Sequence, residues 1–517
     1  MLLQQKLGQL LMFGFPGTSL DETSIRLIEE YKLSNVILFS HNITSAHQMY
    51  QLCTELQQRI QAACGHSGLI CIDQEGGVVS RFPSDAVSFP SAMAVAATAA
   101  PHNAKIAAIA TARQLAALGV NCNLAPVLDI NTNPQNSVIG VRSYGITPEQ
   151  VSEFSIQSIG GHLEVGVLPV AKHFPGHGDT SVDSHLGLPC IDKTEDELMS
   201  CELIPFIRAI EAGVPAIMAA HILFPKIEPD NLPATMSPRI LGDLLRKKLH
   251  FDGLIVSDCF EMGAIQDHYG TAEGFVAGLQ AGLDIGCISH DPELALKALL
   301  LARQAVEDGT LHMSRIDEAV EHVQAARARF AQVESTWSPA NQAAYHAAAQ
   351  AMMDTAITRL DENGPLPLVD EDAFFISCPA YRATFASDAP DDGNTFAQNF
   401  ARRFSSSYQI TPVQPKPEDI ESALRHTRPG QTVVAATYNG HLNRDQLTLV
   451  NRLAREKRKV ICVALRNPYD LPLLDSNIYK IAAFEYTTLS FNAVERILRG
   501  EPAQGRLELA ISKEEPK

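Results

Sequence analysis

The sequence predicts an α/β protein, a (β/α)8 TIM-type barrel followed by a smaller α/β sandwich domain. Short apolar runs alternate with helical stretches through the first half of the chain and beyond. Most of these runs are continuously apolar, as strands buried on both faces should be. The chemistry-bearing polar residues fall just after the runs, where such barrels place their active sites.

The predicted barrel strands are the runs starting at Leu10, Val36, Leu69, Val120, Leu168, Ala216, Leu254 and Leu283. Thr147-Pro148-Glu149-Gln150 is a capping box with Pro at the first helical position, opening a helix toward Leu163. Ser237-Pro238 opens another that runs to about Lys248. Trp337-Ser338-Pro339 and an Ala-rich helix then form a connector. Beyond it, runs starting at Phe374, Thr432, Val460 and Ile481 read as strands, with helical stretches starting at Pro417, Asn443 and Ser490. The expected organisation is a catalytic barrel over 1–330, a helical linker over 331–354 and a C-terminal α/β domain over 355–517.

At 517 residues the chain is too long for one core. A formal charge of −18 argues against nucleic acid or an anionic membrane as partner, since both demand a basic face. The ten Cys are scattered and form no Cys-x-x-Cys pair, which fits a reducing compartment. No leader peptide or bilayer-spanning run is visible, so the expected location is cytoplasmic.

The stretch Lys172-His173-Phe174-Pro175-Gly176-His177-Gly178-Asp179-Thr180-Ser181-Val182-Asp183-Ser184-His185 concentrates proton-transfer groups among Gly and Pro, which places it in a shaped loop after the fifth run. Three readings are open on residue types alone. It can be a satisfied polar surface loop, a metal site using His173 and His177 with an Asp, or a proton-transfer site in which Asp183 orients His185. Asp73, Asp129, Arg142, Lys172, His173, His221 and Asp258 all follow predicted strands, so they converge on one barrel mouth. That convergence favours an enzyme.

Lys-His-Phe-Pro-Gly-His-Gly-Asp-Thr followed by Asp-Ser-His resembles the signature of family 3 glycoside hydrolases, in their β-N-acetylhexosaminidase branch. Ile255-Val256-Ser257-Asp258-Cys259-Phe260-Glu261-Met262 is similar to the segment bearing that family's nucleophilic Asp. Ile72-Asp73-Gln74-Glu75-Gly76-Gly77 with Arg81 is similar to its sugar-gripping loop. Arg142-Ser143-Tyr144-Gly145 resembles a further family segment, with Thr147 replacing the usual acidic residue. Cys259 and Phe260 also depart from the usual pattern.

The resemblance implies Asp258 as nucleophile, His185 as acid/base with Asp183 as its orienter, and Asp73, Arg81, Arg142, Lys172 and His173 as sugar ligands. It implies no metal and no cofactor. The bland alternatives are an Asp258 that caps the next helix and a His185–Asp183 pair that staples its loop. His177, Asp179, Asp129 and His221 are expected to shape the structure, and no catalytic constellation is visible in the second domain. The implied function is a retaining exo-β-N-acetylglucosaminidase acting on GlcNAc-terminated glycans or peptidoglycan-derived muropeptides. Its rivals are a family 3 β-glucosidase, a β-N-acetylglucosaminide phosphorylase, a metal-dependent hydrolase and a silent sugar-binding barrel.

Overall fold

The computed structural model describes residues 1–180, 187–332, 336–382 and 395–509. Eight parallel strands close a barrel: β1 (Leu11–Phe13), β2 (Asn35–Leu38), β3 (Leu69–Ile72), β4 (Cys122–Asn123), β5 (Leu168–Phe174), β6 (Ala216–Ala219), β7 (Leu254–Cys259) and β8 (Ile285–Ile288). The first four residues of β7 are buried, and every other strand of the barrel is buried throughout. The expected run of helices lies between them. Pro148–Val165 opens on Thr147, whose Oγ1 accepts from Gln150 N, and stops at Gly166 in the left-handed conformation. Arg239–Lys248 follows Ser237 and Pro238 as expected, but it winds as a π-helix.

The extent of two strands differs from the sequence expectation, and both differences concern the site. β5 does not stop at Ala171 but runs on through Lys172, His173 and Phe174, because Lys172 and Phe174 still pair with Met218 and Ala219 of β6. Lys172 and His173 are therefore strand residues, and the loop starts at Pro175. β7 likewise continues past Val256, so Asp258 lies within the strand. The register slips between Lys172 and Phe174 on one strand and between Val256 and Cys259 on the other. Such irregularities bend a strand and re-aim its side chains, and here they fall on His173 and on Ser257–Asp258.

The second sheet has the order β11-β10-β12-β13-β14-β9, with β9 (Thr358–Arg359), β10 (Phe374–Ser377), β11 (Ser407–Ile410), β12 (Thr432–Thr437), β13 (Lys459–Ala464) and β14 (Tyr479–Ala482). All its pairs are parallel except β14 with β9. β9, β11 and the helix Phe396–Phe404 are not among the elements expected from the sequence. β11 is a mostly exposed edge strand without an apolar run, so hydrophobicity could not reveal it. The helix did carry a signal: Phe396, Phe400 and Phe404 repeat at i+4, behind the N-cap Thr395.

The two units share a core. Met93, Ala94 and Ala97, on a short helix between β3 and β4, belong to the same apolar cluster as the second domain's core. The helix Gln342–Ala356 lies against the helices Ala92–Ala97 and Thr488–Leu498, and Arg506 N donates to Ala97 O. No helix among the described residues is long and apolar enough to cross a membrane. All ten Cys are unpaired.

Candidate active site

A cavity of about 720 Å³ opens at the C-terminal end of the barrel. Six of the eight residues predicted to form a site line it: Asp73, Arg81, Arg142, Lys172, His173 and Asp258. The other two, Asp183 and His185, lie outside the described residues.

The β3 loop is built first by its own amides. Gln74 N donates to Asn123 Oδ1, and Gln74 Oε1 accepts from Arg81 N and Phe82 N at 2.8 and 3.1 Å. This folds 74–82 into a tight loop through the left-handed Gly76 and Gly77, where a side chain would meet Phe89 O or Ser91. Asp73 and Glu75 then project toward β5. Lys172 Nζ sits 2.6 Å from Asp73 Oδ1 and 2.7 Å from Glu75 Oε1. Arg142 grips Glu75 with a two-pronged bond, Nε to Oε2 and Nη2 to Oε1, each 2.8 Å.

Glu75, 7% exposed in its side chain, is thus the hub of a four-membered charge lattice. Burial pushes its carboxyl upward, but the charges of Arg142 and Lys172 outweigh this and hold it well below the usual carboxylate range. Burial pulls the other way on Lys172 and Arg142, and the carboxylates keep both firmly protonated. The sequence presents Glu75 only as part of a motif. Its signal was there, a second acid two residues after Asp73 in the same Gly-Gly turn.

Behind the lattice, Asp129 Oδ2 is 2.7 Å from His173 Nδ1, and its Oδ1 accepts from His177 N at 2.7 Å. Burial opposes ionisation of Asp129, but His173 and His177 lower its carboxyl below the ordinary value. His177 is pulled down to about 4 by burial and by the neighbouring His173, so it is neutral at neutral pH. Its Nδ1 meets Thr180 Oγ1 at 2.9 Å, and Asp179 pairs with Lys193. His221 bridges Thr235 Oγ1 and Cys259 O. Asp129, His177, Asp179 and His221 are all held by hydrogen bonds or an ion pair, and His177 also lines the cavity. Among the described residues, no three His, Cys, Asp or Glu side chains are grouped to hold a metal ion.

Asp258 reaches the cavity from β7, where its Oδ1 accepts from Cys259 N at 2.8 Å. It does not cap the following helix, Gly263–Gln266, whose N-cap is Met262. Glu261, three residues on, ties β7 to β8 by accepting from His290 N at 2.8 Å and Asp291 N at 3.0 Å. Burial pushes the Cys259 and Cys287 thiols up, so neither is a nucleophile at neutral pH.

The rest of the wall was not foreseen. Phe39 stacks on His41 at 5.8 Å and meets His290 at 4.7 Å, with the Arg81 guanidinium 5.8 Å above the Phe39 ring. Phe39 and His290 stand just past β2 and β8, so the strand-end rule that found Asp73 and Asp258 would also have found them. Arg382 enters the lining from the second domain. An apolar aromatic patch beside charged hydrogen-bonding groups suits a polyhydroxylated ring, which has both kinds of face.

Residues 2–326 match the family model described as glycosyl hydrolase family 3 N terminal domain. Beta-hexosaminidase A of Pseudoalteromonas piscicida is 32% identical over 379 residues, which cover 68% of this chain and 63% of that protein. The match thus spans less than two thirds of that relative. Beta-hexosaminidase of Stenotrophomonas maltophilia (strain K279a) is 34% identical over 296 residues, 56% of this chain and 86% of that one. Among solved structures, a glycoside hydrolase family 3 beta-N-acetylglucosaminidase from Paenibacillus sp. str. FPU-7 superposes with a TM-score of 0.90 at 34% identity, covering 98% of both chains. The motifs at Asp73, Lys172 and Asp258 meet at one barrel mouth, and the chain belongs to glycosyl hydrolase family 3.

Proposed function

We propose that the protein is a retaining exo-β-N-acetylglucosaminidase that removes a non-reducing terminal GlcNAc, with peptidoglycan-derived muropeptides as the natural substrate class. The observation that carries the reading is that the Asp258 carboxylate and the Asp73–Glu75–Arg142–Lys172 lattice face one cavity of sugar size. The names of the relatives above support the hexosaminidase activity.

In this reading Asp73 accepts from ring hydroxyls, while Arg81, Arg142, Lys172 and His173 donate to hydroxyls or to the acetamido oxygen. Asp258 attacks the anomeric carbon. The bond to the leaving oxygen breaks, that oxygen takes a proton from His185, and a glycosyl ester of Asp258 forms. His185 then removes a proton from water, which attacks the ester and frees the sugar and Asp258. Asp183 holds the imidazole tautomer throughout. A His suits this role because its ordinary pKa, about 6.5, lets it give and take a proton near neutrality.

His185→Ala tests the assignment. It should lose far more on a natural disaccharide than on an activated aryl N-acetylglucosaminide, since an acidic phenol leaves without a proton donor. Glycosyl-enzyme should accumulate and appear in the intact mass. An equal loss on both substrates with no trapped ester would refute the acid/base role, and equal kcat/KM on aryl β-GlcNAc and aryl β-glucoside would refute the specificity.

A further inference from the structure

Three loops of the barrel mouth are each held from behind by one residue of the second domain. The turn that carries Arg142 is the first. Val141 N donates to Asn467 Oδ1 at 2.9 Å, across 326 residues of chain. Gly140, one residue earlier, has φ +46°, and a Cβ there would lie 2.0 Å from the same oxygen. The Asn467 side chain can approach the Gly140 backbone this closely only because that position is glycine. Arg142 is the next residue, with its guanidinium on Glu75.

The second contact lies beneath the Gly76–Gly77 turn. Ser91 N donates to Glu485 Oε2 at 3.0 Å, and Thr487 Oγ1 donates to Glu485 Oε1 at 2.9 Å. A Cβ on Gly77 would stand 2.7 Å from Glu485 Oε2 and 2.4 Å from Ser91 Cβ. Glu485 is 1% exposed, so the turn bearing Asp73 and Glu75 rests on a buried carboxyl from the other domain. In the third contact Asn131 Nδ2 donates to the Tyr469 hydroxyl, two residues past Asp129. Tyr469 is in turn braced: His441 packs on its ring at 5.6 Å, and His441 N and Nδ1 both meet Asp470 Oδ1.

Each contact therefore lands on a loop that carries a charged group of the cavity or of the pair behind it, Asn467 and Tyr469 reaching in from the end of β13 and Glu485 from the end of β14. Simple adhesion between domains has no reason to select these loops. The apolar contact of Met93, Ala94 and Ala97 already supplies it. We propose that Asn467, Glu485 and Tyr469 are positioning residues: the second domain sets the geometry of the sugar-binding lattice by clasping the loops of Arg142, Asp73–Glu75 and Asp129, without touching substrate.

The test pairs a deleting with a conserving substitution in the full chain. Asn467→Ala and Glu485→Ala remove the acceptor, whereas Asn467→Asp and Glu485→Gln keep an oxygen for Val141 N and Ser91 N. Arg428→Ala, which breaks an exposed ion pair with Asp372 in the same domain, is the control. The activity readout rests on the N-acetylglucosaminidase reading above. On aryl β-GlcNAc the alanine variants should lose about 10- to 100-fold in kcat/KM, chiefly through KM, while the conserving variants recover most of it. Circular dichroism should change little in every variant, and melting should change little in the Asn467 variants.

Hydrogen exchange by mass spectrometry supplies a readout independent of the reaction. Asn467→Ala should speed exchange in peptides spanning 138–145, and Glu485→Ala in those spanning 74–92, with the rest of the barrel unchanged. If the wild-type chain fails to cleave aryl β-GlcNAc, the functional reading falls and the clasp is judged on exchange alone. The clasp is refuted by wild-type KM and unchanged exchange in both alanine variants. It is equally refuted by a loss that merely follows unfolding and that the conserving variants do not rescue.

Discussion

Among the described residues, two buried His–Asp pairs are built on the same plan, and only one of them belongs to the site. His173 and Asp129 stand on β5 and just past β4, with Nδ1 to Oδ2 at 2.7 Å. His441 and Asp470 stand just past β12 and β13, with Nδ1 to Oδ1 at 2.9 Å. Each Asp also accepts backbone N–H groups, from His177 in the first case and His441 in the second. Both pairs come from neighbouring parallel strands and both are almost wholly buried.

Their surroundings differ. His173 lines an open cavity shared with Lys172, Arg142 and Glu75, while His441 Nε2 is buried with no hydrogen-bond partner and its ring lies on Tyr469. A carboxylate fixes the tautomer and angle of an imidazole in either setting. Space for a ligand and an organised set of neighbouring charges turn that fixed ring into part of a binding site. Where these are missing, the same pair is a brace.

The largest effect expected lies outside both pairs and calibrates them. Asp258→Ala should lower kcat by about 10⁴-fold or more on every leaving group, measured with aryl and disaccharide substrates, with melting scarcely altered. Glu75→Ala comes next. It strips two buried cations of their shared partner, so it should cost about 3–5 kcal/mol of stability in denaturant titration and at least about 100-fold in kcat/KM.

The pairs themselves should then separate. His173→Ala is expected to lose about 100-fold in kcat/KM with a small drop in melting temperature. His441→Ala should show the reverse weighting, a loss of about 2–3 kcal/mol because the buried Asp470 Oδ1 loses its ring partner. If His441→Ala proved the more damaging to kcat/KM at full folding, the contrast drawn here would be wrong.

The most gradual effects are in pH, and they run in opposite directions in the two regions. His177 has its pKa lowered from 6.5 to about 4, so the unfolded chain takes a proton that the folded one refuses. Stability should fall by up to about 3 kcal/mol as pH drops from 6.5 to 4, and His177→Asn should flatten that limb. Burial raises Glu485 from 4.5 to about 6, so there the folded chain holds the proton longer. Stability from this group is full below 4.5 and declines by up to about 2 kcal/mol as pH rises past 6. Asp85 and His346 line the same cavity as Glu485. Melting of Glu485→Gln across this range should show the decline removed, with a net gain at pH 8.

The sequence alone determined the fold class, the order of the barrel strands and the family. These are local properties, because a strand buried on both faces must be continuously apolar and a motif is a run of neighbours. It also placed Asp73, Arg142, Lys172, His173 and Asp258 at one mouth, since strand ends converge in a closed barrel. Only the tertiary structure could decide what these groups bind to each other. Lys172 meets Asp73 across 99 residues, Val141 meets Asn467 across 326 and Ser91 meets Glu485 across 394. Glu75 became the hub because two cations distant in sequence converge on it, and Asn467 and Glu485 acquired their places because two glycines let one domain approach the other. Pairings of that kind depend on where the backbone is brought together, so they leave no periodicity or composition for a reader of the sequence to find.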